Sequence, residues 1–291
     1  MATVYLNGEY VAKERALISV DDRGFLFGDG IYEGVRAIEG RIFAWEAHAA
    51  RMTNGLAALR IDFGAERVAE LGGVCEQLLR ANGLTEGEAA LYLEVTRGAA
   101  PRTHHFPPPG TPPTVYVNAT KFVPRRELGQ NGGKAITFED LRWARCEWKT
   151  VNLLGSVLGR QAAVEAGAYE AILVDDGLVT EGAASSVFVV VDGMLRTHPL
   201  THRILPSVTR SVVMACARSL AIPVQEQAVT KAELSCAQEI FLCGTMSDVI
   251  PVVALDGQPV AAGAPGPITV AIRGAFEARL YESRATRRAE G

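Results

Sequence analysis

Apolar and polar positions alternate at the start of the chain. Val4-Tyr5-Leu6-Asn7-Gly8-Glu9-Tyr10-Val11 alternates around Asn-Gly, the pair a two-residue hairpin turn favours, and so predicts two strands. A glycine-punctuated loop over 21–30 precedes a strand over 31–38, and Glu39-Gly40 turns the chain into 41–44. The period then lengthens: Trp45, Ala49, Met52, Leu56 and Leu59 recur at three-to-four spacing and predict a helix over 46–60. A second helix over 66–80 stops at Asn82-Gly83. Strands at 90–96 and 114–119 flank a segment, 97–113, that is rich in proline. Residues 122–133 change composition and carry no periodicity. Beyond them the pattern predicts a strand over 135–140, a helix over 153–166 ending at Gly167, and hairpins over 171–180 and 186–195, each turning on Asp-Gly. A helix opens near Pro206 or Ser207 and runs to about 220, and a strand over 240–243 enters a turn of small residues. The charged tail 282–291 is expected to fray.

These elements predict an α/β (α+β) chain with a small N-terminal domain over 1–121, a linker over 122–133 and a larger C-terminal domain over 134–291. Composition narrows the functions open to it. Of 291 residues, 48% are hydrophobic and 21% charged, and the net charge is −4, which disfavours nucleic acid or an anionic membrane as partner. No apolar run approaches the roughly 20 residues of a membrane helix, and the first residues lack a signal-peptide pattern. The five cysteines include no C-x-x-C pair and read as reduced, mostly buried thiols of a cytoplasmic protein, with no metal site expected.

The candidate chemistry begins at Arg142-Trp143-Ala144-Arg145-Cys146-Glu147-Trp148-Lys149-Thr150-Val151-Asn152. Lys149 is one of only five lysines and stands among Trp148, Val151, Leu153 and Leu154. A lysine so placed either snorkels to water along its stem or serves as an imine-forming nucleophile, with Arg142 and Arg145 as the groups that would activate it. Glu181, in Thr180-Glu181-Gly182, precedes small residues that leave room for something flat, or else is an exposed turn glutamate. Tyr32 is either core or a ligand contact. Arg97, Arg102, His104 and His105 share one stiffened segment, suited to reading a carboxylate or simply solvated. The helix opening near Ser207 and the turn at 244–248 both offer backbone N–H groups to a phosphate. Together these supply what pyridoxal phosphate demands: an imine lysine, a carboxylate for the pyridine nitrogen, a phosphate cradle and a cationic trap for a substrate carboxylate.

The chain resembles the fold type IV pyridoxal-phosphate enzymes, the group of D-amino acid aminotransferases, branched-chain aminotransferases and aminodeoxychorismate lyases, over about residues 7–281. Its carriers are Asp22-Arg23-Gly24, Phe27-Gly28-Asp29-Gly30, Tyr32-Glu33, Lys149 with Asn152-Leu153-Leu154, Glu170-Ala171, Thr180-Glu181-Gly182, Leu205 with Thr209-Arg210, and Thr245. The resemblance implies two domains with the cofactor, pyridoxal 5′-phosphate, between them, the larger domain having a β-barrel-like core. It implies Lys149 as the Schiff-base lysine and proton carrier, and Glu181 as partner of the pyridine nitrogen. Arg51, Val208, Thr209 and Thr245 would hold the phosphate, and Leu205 would pack on the cofactor face. Pro101-Arg102-Thr103-His104 with Phe106-Pro107 looks like the D-amino acid aminotransferase loop, in which the arginine and histidine reach into the partner subunit of a homodimer. With Tyr32 they would bind the substrate α-carboxylate.

That resemblance implies transfer of an amino group from a D-amino acid such as D-alanine to 2-oxoglutarate. A branched-chain L-amino acid aminotransferase, an (R)-amine transaminase or an aminodeoxychorismate lyase are the alternatives. Three departures from the D-specific pattern stand in the chain. Gly34 replaces a valine, Ala183-Ala184-Ser185-Ser186 replaces a serine-rich run ending in asparagine, and Ser207 replaces a glycine. Gly244-Thr245-Met246 is also nearer the branched-chain pattern.

Overall fold

The computed structural model describes the backbone of residues 2–290 and the side chains of residues 2–282. Contacts divide the chain into two units, Met1–Val123 with Trp148–Leu153, and Pro124–Glu147 with Leu154–Gly291.

In the first unit the alternating segments become one antiparallel sheet with two helices on one face. Its elements are β1 (Thr3–Leu6), β2 (Glu9–Ala12), α1 (Arg23–Phe27), β3 (Gly30–Ile38), β4 (Arg41–Ile42), α2 (Trp45–Ala58), α3 (Ala65–Ala81), β5 (Glu88–Thr96) and β6 (Val115–Lys121). The strands run in the order β2-β1-β6-β5-β3-β4. Because successive side chains of a strand leave opposite faces, Ile31, Val35, Leu91, Leu93 and Val117 all point the same way. There they form the core with Met52, Leu56, Leu71 and Leu78 of the two helices. At about 1.5–3 kcal/mol for each fully buried aliphatic side chain, this face fastens sheet to helices. Tyr32, Tyr92, Glu94, Tyr116 and Asn118 fall on the other face and stay half-buried. The loop expected over 21–30 holds the short helix α1, because Asp22 accepts the Gly24 amide at 2.8 Å and caps it.

The second unit contains α4 (Arg126–Asn131), β7 (Gly133–Glu139), α5 (Leu154–Glu165), β8 (Glu170–Asp175), β9 (Leu178–Gly182), β10 (Ser186–Val191) and β11 (Met194–Thr197). It continues with α6 (Val208–Ser219), β12 (Val224–Glu226), α7 (Lys231–Ser235), β13 (Glu239–Gly244), β14 (Asp248–Leu255), β15 (Gln258–Pro259) and α8 (Pro267–Glu290). The expected fraying over 282–291 falls almost wholly on residues whose side chains lie outside the described set. The strand order is β12-β11-β10-β13-β14-β7-β8-β9, with β15 beside β14. In a flat sheet β9 and β10 would lie five strand spacings, about 24 Å, apart. Only Ala183, Ala184 and Ser185 join them, and that connection spans at most about 14 Å. The sheet must therefore curl, which gives the barrel-like core of the type IV fold. Among the described residues no helix is long and apolar enough to cross a membrane.

Two stretches differ from the sequence pattern. Residues 122–133, read as an unstructured linker, contain α4 and the first residue of β7. Lys149, assigned from sequence to the C-terminal domain, lies in a segment that packs with the N-terminal unit. The cause is specific pairing. The Tyr32 amide donates to the Lys149 carbonyl at 2.9 Å, the Val151 amide donates to the Gly30 carbonyl at 3.1 Å, and Trp148 packs on the N-terminal core.

On the core side of β3 sits one ionic group, Glu33. Arg51 of α2 donates to both its oxygens at 2.7 Å, and His48 Nδ1, three residues earlier on the same helix face, lies 2.8 Å from Oε2. Burial pushes the Glu33 carboxyl up, but the charge and hydrogen bonds of Arg51, with His48, overcome it and hold the group at about 2, below the ordinary 4.5. A depressed folded-state value means stability that is fully present above about 4.5 and is lost as pH falls toward 2. Glu33→Gln is expected to cost roughly 3–5 kcal/mol at pH 7, the usual cost of stranding a buried charge. It should also flatten the pH dependence of Tm across that window. Calorimetric melts of both proteins from pH 7 to pH 2 check this, and parallel curves would overturn the assignment.

Candidate active site

The segment carrying Lys149 runs along the beginning of β3, and Thr150 forms an isolated bridge with Ile31. Tyr32 points to the same side as the lysine stem. Lys149 Nζ donates to Tyr32 Oη at 3.1 Å and lies 4.2 Å from the ring centroid. The amine is half-buried, held by one hydroxyl and one aromatic face, so it has an orienting contact and, among the described residues, no carboxylate paired with it. The sequence pattern left a snorkelling lysine open. The docked segment instead keeps the amine against Tyr32.

Arg142 and Arg145, the candidate activators of that amine, are engaged with carboxylates. Arg145 pairs with Glu147, and Arg142 is the hub of a buried network in the second unit. Its guanidinium donates to Asp140 at 2.9 and 2.7 Å, to Oε1 of Glu181, and to the Arg203 carbonyl at 3.0 Å. Thr180 Oγ1 donates to Asp140 at 2.8 Å. Burial raises the Asp140 carboxyl, but the hydrogen bonds and charge of Arg142 outweigh it and bring the group below its usual value. Glu181 lies on β9, one residue along from Thr180, and Oε1 also accepts the Leu205 amide at 3.1 Å. One carboxylate oxygen thus takes both a guanidinium and an amide, which fixes the side chain's position.

That amide ties the segment before α6 to Glu181. Ser207 caps α6, its hydroxyl accepting the Arg210 amide at 3.1 Å. The first amides of the helix, those of Val208 and Thr209, lack acceptors within it, as at every helix start. Among the described residues nothing hydrogen-bonds the Thr209 hydroxyl. Arg210, by contrast, turns to Glu226 and the His198 carbonyl. Gly182 admits no side chain, since a Cβ there would stand 2.2 Å from Ser185 Oγ. The tight loop it permits is fastened to Glu170, which accepts from Ser185 Oγ at 3.1 Å and the Ala184 amide at 3.3 Å. Thr245 lies in the turn between β13 and β14, and a Cβ on Gly244 would reach 3.5 Å from the Ala184 carbonyl. Ser186 Oγ, beginning β10, is buried without a hydrogen-bond partner. Glu181, Leu205, the loop 183–185 and the turn holding Thr245 thus gather within the second unit. Their donor set of helix amides, threonine hydroxyls and a fixed anion fits a flat, phosphorylated, nitrogen-protonated ring.

The remaining expected residues stand on a frame that the sequence reading missed. Asp29 accepts from Arg23 at 2.9 Å and from Arg97 at 2.8 and 2.9 Å, and Arg97 also donates to the Leu59 and Arg60 carbonyls. Arg23 reaches the Thr103 carbonyl at 2.7 Å, and the Phe106 ring lies 3.8 and 4.6 Å from the guanidiniums of Arg97 and Arg60. Arg102 and His104 pack beside Phe27 and remain exposed, and among the described residues no carboxylate pairs with Arg102. Arg51 meets Glu33 on the other side of β3 from Tyr32. The proline-bounded loop was legible in sequence. The signal for its clamp was the Gly28-Asp29-Gly30 motif, whose aspartate anchors both arginines.

Residues 30–255 match the family model for amino-transferase class IV. The D-alanine aminotransferase of Bacillus licheniformis is 40% identical over 274 residues, covering 94% of this chain and 95% of that protein. That of Staphylococcus haemolyticus is 38% identical, covering 98% and 100%. Among solved structures, an Escherichia coli branched-chain amino acid aminotransferase superimposes with a TM-score of 0.89 at 29% identity, covering 95% of this chain and 93% of that one. A second branched-chain amino acid aminotransferase, solved with pyridoxamine 5′-phosphate, gives 0.84 at 31%, with the same coverage. The docked lysine, the anchored glutamate and these similarities agree: the chain belongs to the amino-transferase class IV family and is an aminotransferase of fold type IV whose cofactor is pyridoxal 5′-phosphate.

Proposed function

We propose that this aminotransferase moves the amino group of a D-amino acid such as D-alanine to 2-oxoglutarate, releasing pyruvate and D-glutamate. The observation that carries the reading is the loop 97–113, which holds Arg102 and His104 exposed and uncompensated on a rigid frame. Its support from relatives is the 37–40% identity to D-alanine aminotransferases, against 25–31% to structural neighbours that include branched-chain enzymes. The enzyme acts as a cytoplasmic homodimer, Arg102 and His104 of one protomer serving the site of its partner.

When bound, the cofactor supplies an electrophilic carbon and a ring that takes up the electron pair left on the substrate Cα. Lys149 would hold the cofactor through its amine and, once that amine is free, would carry the proton away from the substrate Cα. Tyr32 aims the lysine amine, so the proton acceptor is oriented before substrate arrives. Glu181 would face the pyridine nitrogen, and Arg142, which donates to its Oε1, holds the carboxylate in place. Val208, Thr209 and Thr245 would hold the phosphate and Leu205 would pack on the cofactor face; Arg51, which Glu33 orients, is the further candidate for the phosphate. Tyr32, Arg102 and His104 take the α-carboxylate, a planar anion suited to a guanidinium fork.

Lys149→Ala is expected to abolish transamination and the visible absorbance of the bound cofactor. Retention of both would remove the lysine from its role. Arg102→Ala should raise KM for D-alanine at least tenfold, about 1.4 kcal/mol, with a smaller change in kcat. An unchanged KM would sink the carboxylate trap. The broadest test is optical: D-alanine, not L-alanine or L-leucine, should bleach the bound cofactor of the wild-type enzyme, and bleaching by L-leucine alone would favour a branched-chain enzyme.

A further inference from the structure

The mechanism leaves unused most of the polar face of the N-terminal sheet. Register pairs Tyr32 with Glu94 and Gly34 with Tyr92 across β3 and β5, and Glu94 with Tyr116 and Tyr92 with Asn118 across β5 and β6. Directly paired residues carry their Cβ atoms about 4.5–5.5 Å apart, so Glu94 is an immediate neighbour of the tyrosine that holds Lys149. The Tyr32 and Tyr92 rings stack with centroids 5.7 Å apart, and Tyr92 and Tyr116 follow at 6.4 Å. Tyr92 Oη donates to Glu94 Oε2 at 2.7 Å. Among the described residues Oε1 of Glu94 has no hydrogen-bond partner, and no cation pairs with this half-buried carboxylate. Burial raises its carboxyl above the ordinary value, against the hydrogen bond from Tyr92, and the nearby charge of Asp22 adds to the rise.

A carboxylate walled by tyrosine rings is the arrangement that recognises an organic cation, through ring quadrupoles together with a charge-assisted hydrogen bond. The structure already shows one of these rings in that use, because the Lys149 ammonium rests over Tyr32 at 4.2 Å. Gly34, opposite Tyr92, adds no side chain to the face between the rings. We propose that Glu94, with Tyr92, Tyr116 and Asn118, forms a subsite for the far end of the donor's side chain and selects an ammonium or other cationic group there. The subsite rests on the proposed reading of a D-amino acid donor. The α-carboxylate goes to the cationic trap and the distal cation to Glu94, so a basic D-amino acid satisfies both. A distal carboxylate works against the same charge, so 2-oxoglutarate and D-glutamate, acceptor and product of the proposed reaction, bind less tightly than neutral or cationic counterparts of the same length.

The test compares three donors of one carbon skeleton on the intact holoenzyme by initial rates: D-norvaline, D-ornithine and D-glutamate, whose side chains end neutral, cationic and anionic. Wild type is expected to use D-ornithine with the highest kcat/KM and D-glutamate with the lowest. In Glu94→Gln the ornithine-to-norvaline ratio of kcat/KM should fall at least tenfold, while the glutamate-to-norvaline ratio and kcat/KM for 2-oxoglutarate rise. Ratios that stay within twofold of wild type, or a wild type that prefers D-norvaline to D-ornithine, overturn the proposal. Binding of two achiral probes, 5-aminopentanoate and pentanoate, is measured by calorimetry on the same two proteins. The subsite requires tighter binding of the ammonium compound to wild type and loss of that preference in Glu94→Gln. This arm does not depend on the hand of the substrate. An enzyme that ignores D-alanine yet keeps the probe preference refutes the D-amino acid reading alone, and one that turns over D-alanine without the preference refutes the subsite alone.

Discussion

Two backbone hydrogen bonds decide where the reactive amine stands: Tyr32 N–H to the Lys149 carbonyl, and Val151 N–H to the Gly30 carbonyl. They lay the segment from Trp148 to Leu153 along the first residues of β3, and the lysine follows without any choice of its own. Strand alternation does the rest. Tyr32 leaves one face and meets Lys149, while Glu33 leaves the other and is locked by Arg51 and His48 against α2. A slip of one residue in β3 would exchange these two roles and bury the tyrosine face in the helices. The buried ion pair therefore works as a register lock as well as a fastening between sheet and helix.

The second unit solves a different electrostatic problem. Glu181 is a carboxylate in a buried place, and Arg142 pairs with it there. Asp140 in turn shares that guanidinium, so the arginine is balanced and fixed by two carboxylates, one just past the end of β7 and one on β9. The Leu205 amide links this anion to the segment that starts α6, so the carboxylate and the helix amides are set by one local network. Short connections make this possible: Gly182 lets the chain pass from β9 to β10 in three residues, and Glu170 ties down the loop that results.

In the first unit, arginines serve as structural parts in one place and are left exposed in another. Asp29 satisfies Arg23 and Arg97, and these hold the backbone and the Phe106 ring of the long loop. Arg102 on the same loop has no such carboxylate. Glu94 is the converse, a half-buried acid among tyrosines that no cation pairs with among the described residues. Arg102 is solvated where it stands, whereas the half-buried Glu94 carries part of the cost of taking a carboxylate out of water.

Local chemistry was readable directly from the chain. The alternation at 31–38, the helical spacing at 46–60, the Asp-Gly hairpins, Lys149 among apolar neighbours and Glu181 before small residues all depend on positions a few residues apart. From them came the fold class, the cofactor and the candidate residues of the site. Pairings between distant positions were out of reach. Arg23 meets a carbonyl 80 positions away, Lys149 meets Tyr32 across 117, and Arg142 reaches Glu181 across 39. No spacing rule announces such partners, because register and sheet curl, which only the folded chain possesses, set them. The same holds for α4 in the expected linker and for the packing of Lys149 with the N-terminal unit. The sequence by itself determined which groups this protein brings to its chemistry. The tertiary structure decided which of them are already neutralised by one another and which, like Arg102 and Glu94, have no charge partner among the described residues, since compensation of charge is a property of three-dimensional neighbours.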